Sequence, residues 1–260
     1  MSLFQINKIH FPIDIKIGVF TLSGHLFFET LGFVLGYQYY SYLRKNQTDK
    51  INDSNRLSIL IAATFGAFFF SRIIGALENP EGLYHSKQIL LDVFKSKTII
   101  GALLGGLLFV EITKKFIGEK SSSGDLFTYP LIFAIAIGRI GCFTSGIYEP
   151  TFGEPTHFFL GMDLGDGIHR HPTSLYEILF LILLFLFFRC IEKKHTFKEG
   201  NRFKVFMICY LLFRFSIEFI KPGITIFWGI GTIQLTCFAG ILYYSKTLFQ
   251  LIISPKKLME

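Results

Sequence analysis

The sequence predicts an all-α integral membrane protein: one domain, residues 1–260, folded as a bundle of seven transmembrane helices with the N-terminus outside and the C-terminus cytoplasmic. Three observations predict it. The 260-residue chain is 51% hydrophobic, carries 32 Phe and has a mean hydropathy of +0.47, whereas soluble domains lie closer to balance. Seven apolar runs reach or approach the ~20 residues that cross about 30 Å of hydrocarbon. The loops between them differ sharply in Lys and Arg content, which sets orientation.

The runs follow one another with short polar breaks. An amphiphilic lead-in, 1–17, precedes run one, Gly18 to Leu43. Run two is Leu57 to Leu77, and the polar stretch 78–97 after it contains an Asn79-Pro80-Glu81-Gly82 turn signal. Run three, Thr98 to Ile117, opens on Gly101, Gly105 and Gly106, and run four is Leu126 to Gly146. A loop rich in Gly and Pro, 147–173, is the largest non-membrane piece. Runs five, six and seven are Ser174–Cys190, Phe203–Ile220 and Phe227–Tyr244, and a basic tail placed along the interface closes the chain. The first apolar run is too long for the core of a cleavable signal peptide, so none is expected.

Of the 26 Lys and Arg, sixteen fall in 44–56, 113–125, 189–204 and the tail, and seven fall in the N-terminus and the other loops. The heavier side is cytoplasmic by the positive-inside bias, so the 147–173 loop faces out. The net charge of +7 is read the same way, with anionic lipid as the partner and no nucleic acid. Cys142, Cys190, Cys209 and Cys237 show no metal-ligand or disulfide spacing. No metal and no organic cofactor is expected.

Three arginines remain inside the runs: Arg72, Arg139 and Arg214. Each costs roughly 2.5–3.5 kcal/mol at a bilayer centre and is tolerated where it faces a bundle interior, a cavity or a partner. Arg139 lies in Gly138-Arg139-Ile140-Gly141-Cys142-Phe143-Thr144-Ser145-Gly146, with glycines leaving room on both sides. Tyr210, Arg214 and Glu218 fall at i, i+4 and i+8, one stripe of a helix. Arg214 with Glu218 is either a packing pair or, with Arg139, a phosphate site, because guanidinium binds phosphate in a planar, bidentate way. A phosphate within a bundle points to a phospholipid.

Other ionisable groups have two readings each. His25 and Glu29, at i and i+4 in run one, form either a carboxylate-supported base or a polar pair holding helix one to an arginine. Ser174 and Glu177 have capping-box spacing, or else contact substrate beside Arg170, His171 and Tyr176 at a helix N-terminus that favours anions. His169 and His171 are candidate loop bases. Cys142 has no histidine neighbour in sequence and reads as a small hydrophobe, with nucleophile as the lesser alternative.

Together these segments resemble the bacterial prolipoprotein diacylglyceryl transferase family, from run one to run seven. The resemblance rests on Arg72-Ile73-Ile74-Gly75, on Gly138-Arg139-Ile140-Gly141 with Phe143 and Gly146, on Arg170-His171-Pro172 with Leu175-Tyr176-Glu177, and on Tyr210, Arg214, Glu218 and Phe219. It implies a seven-span enzyme of the bacterial inner membrane. Its substrates would be phosphatidylglycerol and preprolipoprotein signal peptides, and diacylglyceryl would move to the lipobox cysteine thiol with release of glycerol phosphate. Arg139 and Arg214 would hold the phosphate, and Gly141, Cys142, Gly146, Arg72, Arg170, His171, Tyr176, Glu177, Tyr210 and Glu218 would contact substrate; the base would be His25 with Glu29, or His171, in place of the family's own histidine. The chain departs from the family pattern at Ile100, where a histidine is usual, at Cys142, where an asparagine is usual, and at Ile147, where a glutamate is usual. A divergent paralogue that binds or transports phospholipid, or that uses another acceptor, is the alternative.

Overall fold

The computed structural model describes residues 10–18, 20–47, 49–227 and 229–259, so most of the lead-in, residues 1–9, lies outside the described residues. Each of the seven runs contains a helix: α1 (Gly24–Asn46), α2 (Asp53–Ala76), α5 (Ile99–Ile117), α6 (Asp125–Ser145), α7 (Thr173–Glu192), α8 (Asn201–Ile217) and α9 (Thr232–Tyr243). Among the described residues, α2, α6 with its 3-10 extension to Tyr148, and α7 are long and apolar enough to cross a membrane. Two bent pairs raise the number to five if each is one span: α4 (Ile89–Lys95) with α5, bent by 90°, and α9 with α10 (Ser245–Ile253), bent by 69°.

The helices differ from the apolar runs at several ends. The end of the lead-in and the start of run one form a hairpin, β1 (Asp14–Ile17) paired antiparallel with β2 (Phe20–Ser23), and the helix begins only at Gly24. The turn residue Gly18 has φ 61°, a left-handed value that a Cβ disfavours. The polar stretch 78–97 contains two short helices, α3 (Pro80–Tyr84) and α4, the first capped by the Asn79 side chain accepting from the Gly82 N–H at 2.9 Å. The long loop contains a two-residue ladder, β3 (Met162–Asp163) with β4 (His169–Arg170). Run seven opens with β5 (Thr225–Phe227) and β6 (Ile230–Gly231), and the tail forms α10.

The chain divides into two compact units. The first holds residues up to 43, 127–194 and 220–222. In it α1 and α6 approach closely because glycines face small residues. A Cβ on Gly32 would stand 2.8 Å from the Ala134 carbonyl oxygen, and one on Gly36 would stand 2.8 Å from the Ala134 Cβ. Small residues in this pattern let helix backbones touch where lipid gives apolar side chains no reason to associate. Helix α7 packs on α6 through Tyr129, whose ring meets Phe185 and Phe188 edge-on and whose hydroxyl donates to Glu192 at 2.5 Å.

The second unit holds residues 44–126, 195–219 and 223 onward. Its α2 and α5 pack by the same device. A Cβ on Gly66 would stand 2.7 Å from Phe109, and one on Gly106 would stand 3.3 Å from the Ala63 carbonyl. The start of α5 is tied to α2 by the Thr98 N–H, which donates to the Ser71 carbonyl and hydroxyl. Helix α9 meets α8 and α5 at Gly240, where a Cβ would stand 2.8 Å from Leu211 and 3.0 Å from Leu104. Large apolar side chains remain exposed on both units, among them Phe33 at 73% and Phe116 at 86%, as lipid contact requires.

Candidate active site

The first unit concentrates the chemistry around Arg139, near the end of α6. Arg139 is buried, and its Nε lies 2.8 Å from the Glu177 carboxylate on α7. Glu177 is itself 2% exposed. An isolated charge at such a position would be strongly unfavourable, and the pair neutralises both groups. This corrects the capping reading of Ser174 and Glu177. Helix α7 starts at Thr173 behind Pro172, without a side-chain cap. The Thr173 hydroxyl donates to the Thr151 carbonyl and Ser174 reaches the Thr151 hydroxyl, so Glu177 serves Arg139.

The other face of Arg139 is turned to sulfur: its Nη1 donates to Cys142 Sγ at 3.6 Å, one turn along the same helix. The His25 imidazole on α1 stands beside Cys142, close enough for the two to interact electrostatically. Two carboxylates support that imidazole, Glu29 at 3.5 Å and Glu149 at 3.7 Å from Nε2. Gly141 makes the meeting possible. A Cβ there would stand 2.9 Å from the His25 carbonyl oxygen and 3.2 Å from its Cα, so only glycine lets α1 lie this close. Cys142 therefore does have a histidine neighbour, supplied by a different helix and invisible in local spacing.

Gly146 ends α6 with φ 58° and turns the chain toward Leu164, whose carbonyl accepts from Ile147 N at 3.2 Å. The start of α7 carries a second group in the same unit. His171 Nδ1 lies 3.0 Å from the Tyr176 hydroxyl, and the Arg170 guanidinium sits 2.8 Å from Asp166 and over the Phe152 ring. His171 is also fixed through its backbone, which exchanges hydrogen bonds with Gly153 and Glu154. His169 is exposed on β4.

The remaining predicted site residues belong to the second unit. Arg214 is buried on α8 and donates to Glu218, which opens a 3-10 turn after the helix. Tyr210 is fully buried and stacks on Phe206. Arg72 donates to the Ser96 carbonyl at 3.2 Å and lies over the rings of Phe68 and Phe94, at 5.1 and 5.2 Å. Ile100 is fully buried. Among the described residues no group of three His, Cys, Asp or Glu side chains has the proximity a metal ion needs.

The geometry is that of a guanidinium neutralised by a carboxylate, beside a thiol and a carboxylate-supported imidazole, within an apolar helix bundle. A family model described as prolipoprotein diacylglyceryl transferase matches residues 12–249. The chain belongs to the prolipoprotein diacylglyceryl transferase family. Relatives named phosphatidylglycerol–prolipoprotein diacylglyceryl transferase occur in several bacteria. The protein of Clostridium tetani is 27% identical over 177 residues, 65% of this chain and 70% of its own. That of Trichormus variabilis is 26% identical over 249 residues, 88% and 86% of the two chains, and that of Finegoldia magna is 28% identical over 239 residues, 88% and 92%.

Proposed function

We propose that the protein moves the diacylglyceryl group of phosphatidylglycerol to the lipobox cysteine thiol of preprolipoproteins, releasing glycerol phosphate. The observation that carries this is the Arg139–Glu177–Cys142–His25 cluster, within a chain whose family match runs nearly end to end. Phosphatidylglycerol and prolipoprotein are the substrates in the relatives' names.

Each residue then has a chemical task. A thiol reacts as its thiolate, so the acceptor must lose a proton, and His25, supported by Glu29 and Glu149, is the group to take it. The acceptor sulfur forms a bond to the glyceryl carbon that carries the phosphate ester, the C–O bond breaks, and its electron pair leaves on glycerol phosphate. Arg139 holds that phosphate. A fixed guanidinium in a water-poor site stabilises the developing charge more strongly than it could in water. Glu177 keeps the arginine neutralised and aimed before substrate arrives. The parts assigned to Arg214, Tyr210, Glu218 and Arg72, and to Arg170, His171 and Tyr176, are each tested by their own substitution.

The topology proposed is seven spans in the bacterial inner membrane, formed by α1, α2, α5, α6, α7, α8 and α9, with the N-terminus and the 147–173 loop on the outer side. The charge distribution among the loops supports it. A second reading, a protein that binds or transports phospholipid without transfer, is favoured by Ile100, whose buried side chain offers no base. Incubation of the purified protein with phosphatidylglycerol and a lipobox peptide separates the two. Transfer adds the diacylglyceryl mass to the peptide. Lipid binding with an unmodified peptide removes the transferase reading for this substrate.

A further inference from the structure

The start of α9 holds a buried donor with nothing to bond. Gln234 is 4% exposed. Its Oε1 accepts from the Gly231 N–H at 2.9 Å, which fixes the two ends of the amide. The Nε2 at the other end is buried and donates to no group among the described residues. Native structures leave few such donors unmet, and each calls for an explanation. Its neighbours follow from the register of α8 against α9. A Cβ on Gly240 would stand 2.8 Å from Leu211. One turn toward the start of α9, Cys237 is close enough to Arg214 and Glu218 for both charges to act on it. The two helices therefore run antiparallel, and one further turn on each brings Gln234 to the level of Glu218. Glu218 accepts from Arg214, and a carboxylate has more lone pairs than that one donor uses. The end of this helix pair thus offers an amide donor and a carboxylate acceptor at one level.

We propose that Gln234 selects the headgroup of the lipid substrate: its Nε2 donates to a hydroxyl of the phosphatidylglycerol headgroup, and that hydroxyl donates to Glu218. The identity of the lipid rests on the transferase reading above; what is added is how it is told from other phospholipids. A hydroxyl both accepts and donates, so it satisfies the amide and the carboxylate together. An ethanolamine headgroup ends in an ammonium, which has donors and no lone pair. It would set N–H against N–H at Gln234 and bring a positive charge toward Arg214. A site built to hydrogen-bond a hydroxyl rejects an analogue that lacks it, because its buried polar atoms are then left unpaired. Gln234 is a specificity residue in this arrangement and takes no part in proton transfer.

The test is native mass spectrometry of the full-length protein in detergent with equimolar phosphatidylglycerol and phosphatidylethanolamine of the same acyl chains. Transfer to a lipobox peptide from each lipid alone is measured beside it, and thermal unfolding checks that each variant is folded. Wild type should bind phosphatidylglycerol in preference. Gln234→Leu should lower that preference about tenfold, the scale of one buried hydrogen bond. Gln234→Glu keeps an oxygen for the Gly231 N–H and replaces the donor by an acceptor, so it should lower the preference at least as far. Equal binding of the two lipids by wild type overturns the proposal. So does a Gln234→Leu variant that loses both lipids alike while Gln234→Glu behaves as wild type, because Gln234 is then only a helix cap. A preference unchanged in both variants, with the peptide converted, overturns it and leaves the transferase reading standing. A preference lost in both variants, with no transfer by wild type, upholds the headgroup contact and removes the transferase reading.

Discussion

Two buried arginines, one in each unit, do opposite jobs. Arg56, at the start of α2, is 1% exposed and saturated by rigid partners. Asp49 accepts from its Nε at 2.9 Å and its Nη2 at 2.5 Å, and the Ser123 carbonyl accepts from Nη1 at 3.2 Å. Asp49 is held further by Arg44 and by the Ile51 N–H. These partners of Arg56 are a carboxylate and a backbone carbonyl, and the result is a clamp across the loops beside α2. Arg139 is also buried, at 7% exposed, but its partners include a carboxylate and a thiol that stands beside an imidazole. Burial and charge alone do not distinguish a site from a clamp. What separates them is whether the surrounding groups can exchange a proton or a bond.

The comparison breaks most visibly at Arg139. Arg139→Ala should lower glycerol phosphate release about 100- to 1000-fold, the scale of losing one preorganised charge stabiliser, and Arg139→Lys should recover little because a lysine lacks the planar fork. Next, Arg56→Ala should leave turnover per folded molecule unchanged while reducing stability by about 1–3 kcal/mol, since Asp49 keeps only Arg44 and the Ile51 N–H and the Ser123 carbonyl loses its donor. Thermal unfolding in detergent reads that loss.

The smallest effect is one of pH. Burial acts to raise the Asp49 carboxyl, but the Arg56 hydrogen bond, the Ile51 N–H and the nearby Arg44 outweigh it and hold it below the ordinary carboxylate range. A depressed carboxylate stabilises the fold above its unfolded value of about 3.9, and this contribution disappears as pH falls through the native value. Asp49→Asn should therefore be less stable than wild type at neutral pH and should lose part of the decline on acidification. Parallel melting curves from pH 3 to pH 7 measure it; an unchanged acid limb would remove Asp49 from the clamp.

Much of the fold is legible in the sequence because a bilayer demands apolar runs of fixed length, and each of the seven runs does contain a helix. The misread ends have local causes. Phe20 and Leu22 raise the hydropathy of run one while alternating as a strand, so β2 was absorbed into a span and its partner β1 fell in the lead-in. The polar stretch 78–97 hid α3 and α4 because helices of five and seven residues leave almost no periodic trace. The site was legible wherever it lies along one helix, as with His25 and Glu29 or Arg214 and Glu218. Pairs that join helices were not: Arg139 with Glu177, and Cys142 with His25, depend on helix approach. One signal was available, the glycines 32 and 36 of run one facing Ala134 and Gly138 of run four with Gly24 against Thr144, and it places His25 beside Gly141.

The central claim is that Arg139 is chemistry and Arg56 is architecture. It is tested most directly by measuring glycerol phosphate release from phosphatidylglycerol and lipobox peptide for Arg139→Ala and Arg56→Ala side by side, normalised to folded protein. The account predicts a loss of about 100- to 1000-fold in the first and a wild-type rate in the second. Equal rates in the two variants, or full turnover in Arg139→Ala, would contradict it.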